Sequence, residues 1–202
     1  MSVAILIPAA GSARRMRGRD KLLEPVDGVP LLRRQARAAL AVTPLVVVTL
    51  REAAGDRAAA LAGLAVRIVE LGAAAAEGMA ASIRHGVAAA EGTGADALAI
   101  LPADMPEIGA DDLARVLTAQ AEDPRAILRG AAEDGTPGHP VLFPRDLWPD
   151  LARCSGDEGA RAVLRRHADR IRAVLLPGRH ALTDLDTPED WAAWRAARSA
   201  GQ

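Results

Sequence analysis

A short basic segment near the start of the chain has the residue types that bind phosphate. Between Pro8 and Lys21 the chain carries small residues first, then four arginines and a lysine, with two glycines among them. Small residues let a ligand approach the backbone closely, and exposed backbone N–H groups supported by fixed cations can hold a polyphosphate. The plainer alternative is a basic surface loop after an edge strand. Spacing alone favours phosphate binding over that alternative.

Two acidic segments further along the chain could hold a divalent cation. Asp104 lies in the loop 102–106, and Asp184 and Asp186 stand two apart in the segment 183–190. Alternate positions of an extended segment share a face, so these last two carboxylates could point at one metal ion. Mg²⁺ prefers oxygen ligands and commonly takes one or two carboxylates together with substrate phosphates. The structural alternatives are a turn aspartate at Asp104 and a helix cap at Asp186, and capping does not exclude metal binding.

Alternating strand and helix signals predict the fold that brings these segments together. Continuous apolar runs at 3–7, 45–49 and 97–101 are typical of strands buried on both faces of a parallel sheet. The pattern predicts an α/β fold with a doubly wound, mostly parallel sheet and a small antiparallel excursion near residues 126–143. In such sheets ligands bind at the carboxyl ends of the strands, where the basic loop and both acidic segments fall.

Helical spacing and turn residues predict the remaining elements. Trp191 and Trp194, three residues apart, are expected to pack the last helix onto the sheet. Further strands are predicted at 66–69 and 171–176, and helices at about 31–40, 55–61, 78–90, 110–121, 145–152, 158–168 and 188–197.

Composition and charge exclude several classes of protein. Half of the 202 residues are apolar, which suffices for a sizeable core in one domain. The 25 basic and 26 acidic residues nearly balance, so the overall charge favours neither nucleic acid nor a membrane surface as a partner. No apolar run reaches the roughly 18 residues of a membrane helix, and the first residues do not resemble a signal peptide. The sequence predicts a cytoplasmic protein.

An ordered series of motifs resembles the nucleotidyltransferases, and among them the molybdenum cofactor (molybdopterin) cytidylyltransferase type. The signature lies in Pro8-Ala9-Ala10-Gly11, Arg15-Met16 and Lys21-Leu22-Leu23, and the further motifs are at 77–84, 102–106, 138–143, 156–161 and 184–190. The resemblance covers almost the whole chain. Its Ala-Ala-Gly form is similar to that of cytidyl-transferring members, whereas guanylyl-transferring members carry Ala-Gly-Gly. Arg17 makes the loop one residue longer than the family pattern and displaces Lys21 along it.

The resemblance implies that the first half of the chain binds the nucleotide and that a metal ion binds at the same site. Arg15 and Lys21 would neutralise the triphosphate, and Lys21 would also stabilise charge at the α-phosphate. With Asp104 they form the implied catalytic set. The nucleotide would further contact Ala9, Ala10, Gly11, Ser12 and Ser82. Asp104 would bind Mg²⁺, with Asp186 or Asp184 as the second carboxylate.

The resemblance also implies the reaction and the acceptor side. His139 and Arg161 would contact a phosphorylated acceptor, a molybdopterin cofactor, which receives CMP from CTP as pyrophosphate leaves. Positioning and electrostatics would do most of the catalysis. Contact with a molybdoenzyme or its chaperone is a further implication. One domain, 1–202, would consist of a nucleotide half of about 1–105 and an acceptor half of about 106–190.

Two alternatives to this function stay open on the sequence. The same chemistry could serve a sugar phosphate or another cofactor precursor. A protein of a different class, a non-catalytic nucleotide-binding partner of a molybdoenzyme, would also carry these motifs. A dinucleotide-dependent oxidoreductase is disfavoured, because no Gly-x-Gly-x-x-Gly follows the first strand.

Overall fold

Nine strands and seven α-helices make up the computed structural model over the residues that it describes, 1–12, 14–156 and 159–200 (without the side chains of Arg14 and Ala200). The strands are β1 (Val3–Pro8), β2 (Pro25–Val26), β3 (Val29–Pro30), β4 (Val46–Leu50), β5 (Arg67–Glu70), β6 (Ala97–Ile100), β7 (Ile127–Ala131), β8 (Pro137–Pro144) and β9 (Ile171–Leu175). The helices are α1 (Leu31–Val42), α2 (Asp56–Ala60), α3 (Met79–Glu91), α4 (Ala110–Glu122), α5 (Trp148–Leu151), α6 (Arg161–Arg166) and α7 (Pro188–Ala200).

Seven of the strands form one sheet in the order β5-β4-β1-β6-β8-β7-β9. The central strand β1 is buried at every position, because its side chains alternate between two apolar layers. Ile5 and Ile7 pack on the side of α1 and α4, whereas Ala4 and Leu6 pack on the side of α3. The predicted doubly wound, mostly parallel α/β fold is confirmed.

The antiparallel part of the seven-stranded sheet is a single strand, β8, which lies inside the sheet. It pairs antiparallel with β6 on one side and with β7 on the other, and β7 continues parallel to β9. Gly130 of β7 permits this pairing, because a Cβ there would lie 2.2 Å from the backbone oxygen of His139. The predicted excursion near 126–143 is therefore an internal strand reversal.

Several local elements differ from the prediction. A two-stranded antiparallel ribbon of β2 and β3 was not predicted, although its turn is an Asp27-Gly28 pair with φ values of 50° and 75°, which is typical of a tight hairpin. The segment predicted as one helix at 145–152 is a 3-10 turn, Arg145–Leu147, followed by α5. The helix predicted at 158–168 starts outside the described residues, and its described part is α6.

The last helix does not pack as expected. Trp191 and Trp194 form a cluster with Met16, Val26 and Leu31, so the prediction that they contact the sheet is wrong. The reason is the position of Met16, a fully buried apolar side chain in the basic loop, which needs an apolar partner of its own. As a result α7 anchors the basic loop. No helix of the described ranges is long and apolar enough to span a membrane.

Candidate active site

The site forms where the loops after β1 and β6 meet the segment before α7. The ammonium of Lys21 contacts Asp104 Oδ2 at 2.5 Å and Asp186 Oδ1 at 2.6 Å. Arg15 contacts the other oxygen of Asp186 at 2.7 Å. The backbone oxygen of Asp104 accepts a hydrogen bond from the Leu185 N–H at 3.1 Å, which joins the two acidic segments directly.

Lys21 is the only lysine of the chain, and the rest of its 25 Lys and Arg residues are arginines. An ammonium is a compact charge with three donors, so Lys21 can donate to both carboxylates at once. Burial by itself lowers the pKa of Lys21, but the charges and hydrogen bonds of Asp104 and Asp186 outweigh it and raise this pKa. Lys21 is therefore charged at neutral pH.

Asp184 lies next to the same cluster in a less favourable environment. Burial raises its pKa above the ordinary value, and the negative charges of Asp104 and Asp186 raise it further. The structure thus brings all three predicted carboxylates together, with Lys21 against two of them. Within the described residues, no three His, Cys, Asp or Glu side chains are arranged to hold a metal ion by themselves.

Arg17, the residue by which the basic loop exceeds the family pattern, lies in a sharp turn. Arg17 has a φ of 52° and Gly18 a φ of 89°, both in the left-handed region, which is uncommon for arginine and ordinary for glycine. The Arg17 side chain reaches Glu189 of α7 at 2.6 Å. The extra residue is therefore accommodated in the turn, and Lys21 still reaches the carboxylates.

A cavity of about 190 Å³ lies beside this cluster. Its lining includes most of the predicted nucleotide-binding residues, namely Ala9, Gly11, Ser12, Lys21 and Ser82, together with the predicted metal ligand Asp104. Ala10 does not line this cavity, because its side chain points away from the cavity and packs against Leu71, Ala75 and Ala81. Arg15 also lies outside the cavity wall, and its side chain is 71% exposed.

A second cavity, of about 240 Å³, opens on the other side of Met79 and Pro102, which line both. Its polar side chains are the predicted acceptor residues His139 and Arg161 together with Arg129, and its remaining walls are mostly aliphatic and aromatic. A groove that Arg129 and His139 also line extends from it to Asp104 and Asp184. Sequence reasoning missed Arg129, although an arginine inside the apolar run of β7 is an unusual residue for a core strand.

The second cavity is electropositive. Burial is the main cause that lowers the pKa of His139 to about 4, and Arg129 and Arg161 lower it as well. The imidazole is therefore neutral at physiological pH, and its buried Nδ1 has no hydrogen-bond partner among the described residues. Burial, together with the charge of Arg161, also lowers the pKa of Arg129. The cluster therefore carries two guanidinium charges and a neutral ring.

The comparison with known proteins decides the family. Residues 5–171 match the MobA-like NTP transferase domain. The chain belongs to this family. It is a nucleotidyltransferase, which disfavours the alternative of a non-catalytic nucleotide-binding partner.

Two curated relatives of this MobA-like chain differ in coverage. The molybdenum cofactor guanylyltransferase of Rhodobacter capsulatus is 34% identical over 206 residues, which cover 95% of this chain and 94% of that protein. The purine catabolism protein PucB of Bacillus subtilis (strain 168) is 35% identical over 124 residues. The matched part is 61% of this chain and spans 58% of PucB.

Solved structures share the whole fold. Rv0371c from Mycobacterium tuberculosis H37Rv superposes with a TM-score of 0.81 at 26% identity, covering 96% of this chain and 97% of that one. A complex of the same protein with manganese superposes with a TM-score of 0.78 at 24% identity and the same coverage.

Proposed function

We propose that this protein transfers CMP from CTP to a phosphorylated acceptor of the molybdopterin type and releases pyrophosphate. The observation that carries the proposal is the Lys21–Asp104–Asp186 cluster, which lies where the cavity beside the basic loop meets the groove toward His139. A transferred phosphoryl group needs both substrates in line, so a charged cluster at the junction of two pockets is suited to it.

On the nucleotide side, Lys21 and Arg15 neutralise the triphosphate, and together with Asp104 they form the catalytic set. The backbone of 9–12 borders the nucleotide, and Ser82 contacts the ribose or base. Ser82 is buried in the first turn of α3 and lines the cavity of about 190 Å³, which supports this role. Because the acids already hold Lys21 and Arg15, binding of the triphosphate requires these cations to exchange one anion for another.

The acidic cluster has the donors that a Mg²⁺ site uses. Asp104 and Asp186 would hold the ion, with Asp184 beside them as a further carboxylate. Two carboxylates leave positions that substrate phosphates fill, so a complete protein cage of three ligands is unnecessary. When bound, the ion would offset the charge that develops at the α-phosphate. The manganese complex of Rv0371c supports dependence on a divalent cation, without identifying the residues that bind it.

On the acceptor side, His139 and Arg161 bind the acceptor, and we add Arg129 to them. An acceptor phosphate oxygen forms a bond to the α-phosphorus while the bond to the β-phosphate oxygen breaks and pyrophosphate leaves. The attacking phosphate is already ionised at neutral pH, so the step requires no general base. With its pKa lowered to about 4, His139 is a weak proton acceptor, so its role toward the acceptor is hydrogen bonding and not proton removal.

The two halves of one domain then bind different substrates. Residues of about 1–105 bind the nucleotide and residues of about 106–190 bind the acceptor, and the continuous seven-stranded sheet supports a single unit of 1–202. Delivery of the product to a molybdoenzyme or its chaperone in the cytoplasm belongs to the same proposal. The alternative acceptors are a sugar phosphate or another cofactor precursor, and the test below distinguishes them.

The preference for CTP rests on Ala10. Ala10 stands where the guanylyl-transferring members of the resembling family carry glycine. Its methyl group packs behind the cavity lining, against Leu71, Ala81 and the cavity-lining Ala75. This packing supports Ala75 in the cavity wall, and a supported wall favours the smaller pyrimidine base. GTP is the second candidate, because the relative matched over 95% of the chain is a guanylyltransferase.

A nucleotide panel tests this proposal. Pyrophosphate release and calorimetric binding are measured with CTP, GTP, ATP and UTP, in Mg²⁺ or EDTA, with molybdopterin or a sugar phosphate as acceptor. We expect CTP with molybdopterin and Mg²⁺ to react best. Ala10→Gly should lower the CTP:GTP ratio of kcat/KM by about tenfold, because loss of the methyl group that supports Ala75 lets the cavity wall recede by about one carbon. Ala54→Gly in an exposed turn is the matched control. A wild-type preference for GTP would contradict the cytidine assignment, and turnover only on the sugar phosphate would contradict the acceptor.

A further inference from the structure

Arg57 of α2 is bound to the basic loop although it belongs to none of the motifs described above. Its guanidinium Nη1 donates to the backbone oxygens of Ala9 at 2.5 Å and Gly11 at 2.8 Å. Its Nε and Nη2 donate to the two carboxylate oxygens of Asp20, at 2.6 and 2.9 Å. The Arg57 side chain is only 17% exposed. One side chain thus makes four hydrogen bonds to the loop.

The contacts with Ala9 and Gly11 fix two peptide planes. In a trans peptide the C=O of one residue and the N–H of the next point in opposite directions. With the oxygens of Ala9 and Gly11 held by Arg57, the N–H groups of Ala10 and Ser12 point away from it. Arg57 therefore sets the direction of two donors in the segment that borders the nucleotide cavity.

The contact with Asp20 fixes the other end of the loop. Asp20 binds Arg57 in the bidentate geometry that makes carboxylate–guanidinium pairs strong and directional. Asp20 Oδ1 also accepts the Leu22 N–H at 3.0 Å, so the backbone on both sides of Lys21 is tied to the same carboxylate. Arg57 holds the two ends of the segment 9–21 at a fixed distance from each other.

We propose that Arg57, acting with Asp20, is a positioning residue for nucleotidyl transfer. It touches no reacting atom in the proposed reaction. It keeps the backbone donors of 9–12 and the ammonium of Lys21 in one arrangement, so that a triphosphate meets both without reordering the loop. The inference rests on the proposed function, because it takes this loop as the triphosphate site.

The surroundings of Arg57 make it possible to separate this role from a structural one. Helix α2 has no buried residue, so loss of the Arg57 side chain removes nothing from the core. Arg33 provides a matched control. It donates from α1 to the backbone oxygens of Ala60 and Ala62, at 2.8 and 2.9 Å, at the opposite end of the same helix. Truncation of Arg33 removes one hydrogen bond to the last residue of α2 and one to the turn that follows it, and none to the basic loop.

The test compares Arg57→Ala, Arg57→Lys, Arg33→Ala and Lys21→Met for thermal stability, CTP affinity and pyrophosphate release. Arg57→Ala should raise the KM for CTP and lower kcat/KM about 100-fold, while its melting temperature stays within a few degrees of that of Arg33→Ala. Arg57→Lys should not restore activity, because an ammonium cannot make the bidentate contact with Asp20 and both carbonyl contacts. Guanidinium ion at millimolar concentration should restore part of the activity of Arg57→Ala. Arg33→Ala should stay within about twofold of wild type.

The outcomes separate this inference from the proposed function. If wild type transfers CMP and Lys21→Met is defective but Arg57→Ala retains wild-type kcat/KM, the positioning role is wrong and the proposed function stands. If wild type neither binds nor turns over any nucleoside triphosphate, both are wrong. Should Arg57→Ala fail to fold, Asp20→Asn breaks the same contact from the loop side. Wild-type kinetics in that variant would equally overturn the inference.

Discussion

The two sides of the candidate site both carry cations, but among the residues that the structure describes only one side has acids paired with them. On the nucleotide side, Lys21 lies between Asp104 and Asp186, and Arg15 binds Asp186. On the acceptor side, Arg129 donates only to backbone oxygens, and no ion pair of Arg129 or Arg161 is found among the described residues.

This difference indicates how each side meets its ligand. On the proposed nucleotide side the cations are already paired with carboxylates, so under the proposed function a triphosphate and a metal would enter by exchanging partners with these groups. The proposed acceptor side has two guanidinium groups without an ion pair in the described part of the chain, next to a neutral imidazole, and burial together with Arg161 depresses the pKa of Arg129. An anion placed there relieves the repulsion without displacing a carboxylate. The predictions below address this contrast, beginning with the largest effect.

Removal of the central carboxylate should have the greatest consequence. Asp104→Asn keeps the shape of the side chain but loses the charge that pairs with Lys21 and offers a metal ligand. We expect kcat/KM to fall by about 1,000-fold, or about 4 kcal/mol of transition-state stabilisation. Steady-state pyrophosphate release measures this. The matched control is Asp111→Asn, an exposed acid in the first turn of α4. If kcat/KM of Asp104→Asn stayed within tenfold of the wild-type value, the reaction would not take place at the Asp104 cluster.

Loss of the lysine should have the next largest effect. Lys21→Met keeps the aliphatic length and removes the ammonium, so charge at the α-phosphate loses its nearest protein cation. We expect kcat to fall by about 100-fold, or about 3 kcal/mol, which is typical for one oriented charge in a reaction site. The KM for the acceptor should change little. A variant that altered only the acceptor KM would contradict the division between the two sides.

The buried imidazole should make stability depend on pH. Folded His139 stays neutral down to a pKa of about 4. The unfolded chain protonates it near 6.5, so between these values the unfolded state binds more protons and stability falls as pH falls. The loss due to His139 at pH 5 is about 2 kcal/mol. Asp150, with a folded-state pKa of about 2, loses its contribution only below about pH 4, outside this window. Denaturant unfolding of His139→Asn should therefore show a smaller loss between pH 7 and 5 than wild type, and an equal loss would contradict the neutral state.

The smallest of these effects is expected for Arg129. Arg129→Gln removes one of two cations from the acceptor cavity and should raise the acceptor KM about tenfold, or about 1 to 2 kcal/mol, with the KM for CTP unchanged. Arg172→Gln on the neighbouring strand β9, where the side chain is exposed, is the matched control. An increase in the KM for CTP alone would show that both cavities belong to one substrate.

The sequence was sufficient for the elements whose signal is local. Apolar runs predicted β1, β4 and β6, and the residue types in the loops predicted that the basic loop and both acidic segments share one edge of the sheet. The ion pairs of Lys21 with Asp104 and Asp186 were not predicted. The direction of a strand was harder to predict, because the apolar pattern of a strand buried on both faces is the same whether it runs parallel or antiparallel to its neighbours. The reversal at β8 therefore needed the three-dimensional pairing with β6 and β7.

The residues that sequence reasoning missed act over long distances in the chain. Arg57 contacts carbonyl oxygens 46 and 48 residues away, and no spacing rule connects it to them. Arg129 joins His139 across a strand pair and Arg161 across a cavity. Trp191 and Trp194 have the spacing of a buried helix face, but spacing does not identify the partner, which is Met16 and its neighbours.

The exchange of partners at Lys21 can be measured without nucleotide or acceptor. Mn²⁺ binding is followed by electron paramagnetic resonance for wild type, Lys21→Met and Lys21→Met/Asp104→Asn. If Lys21 occupies the carboxylates until a triphosphate draws it away, wild type should bind Mn²⁺ weakly. Lys21→Met should then bind it at least about tenfold more tightly, an effect of about 1.4 kcal/mol, and the double variant should lose the gain. Equal Mn²⁺ affinity in wild type and Lys21→Met would contradict the account.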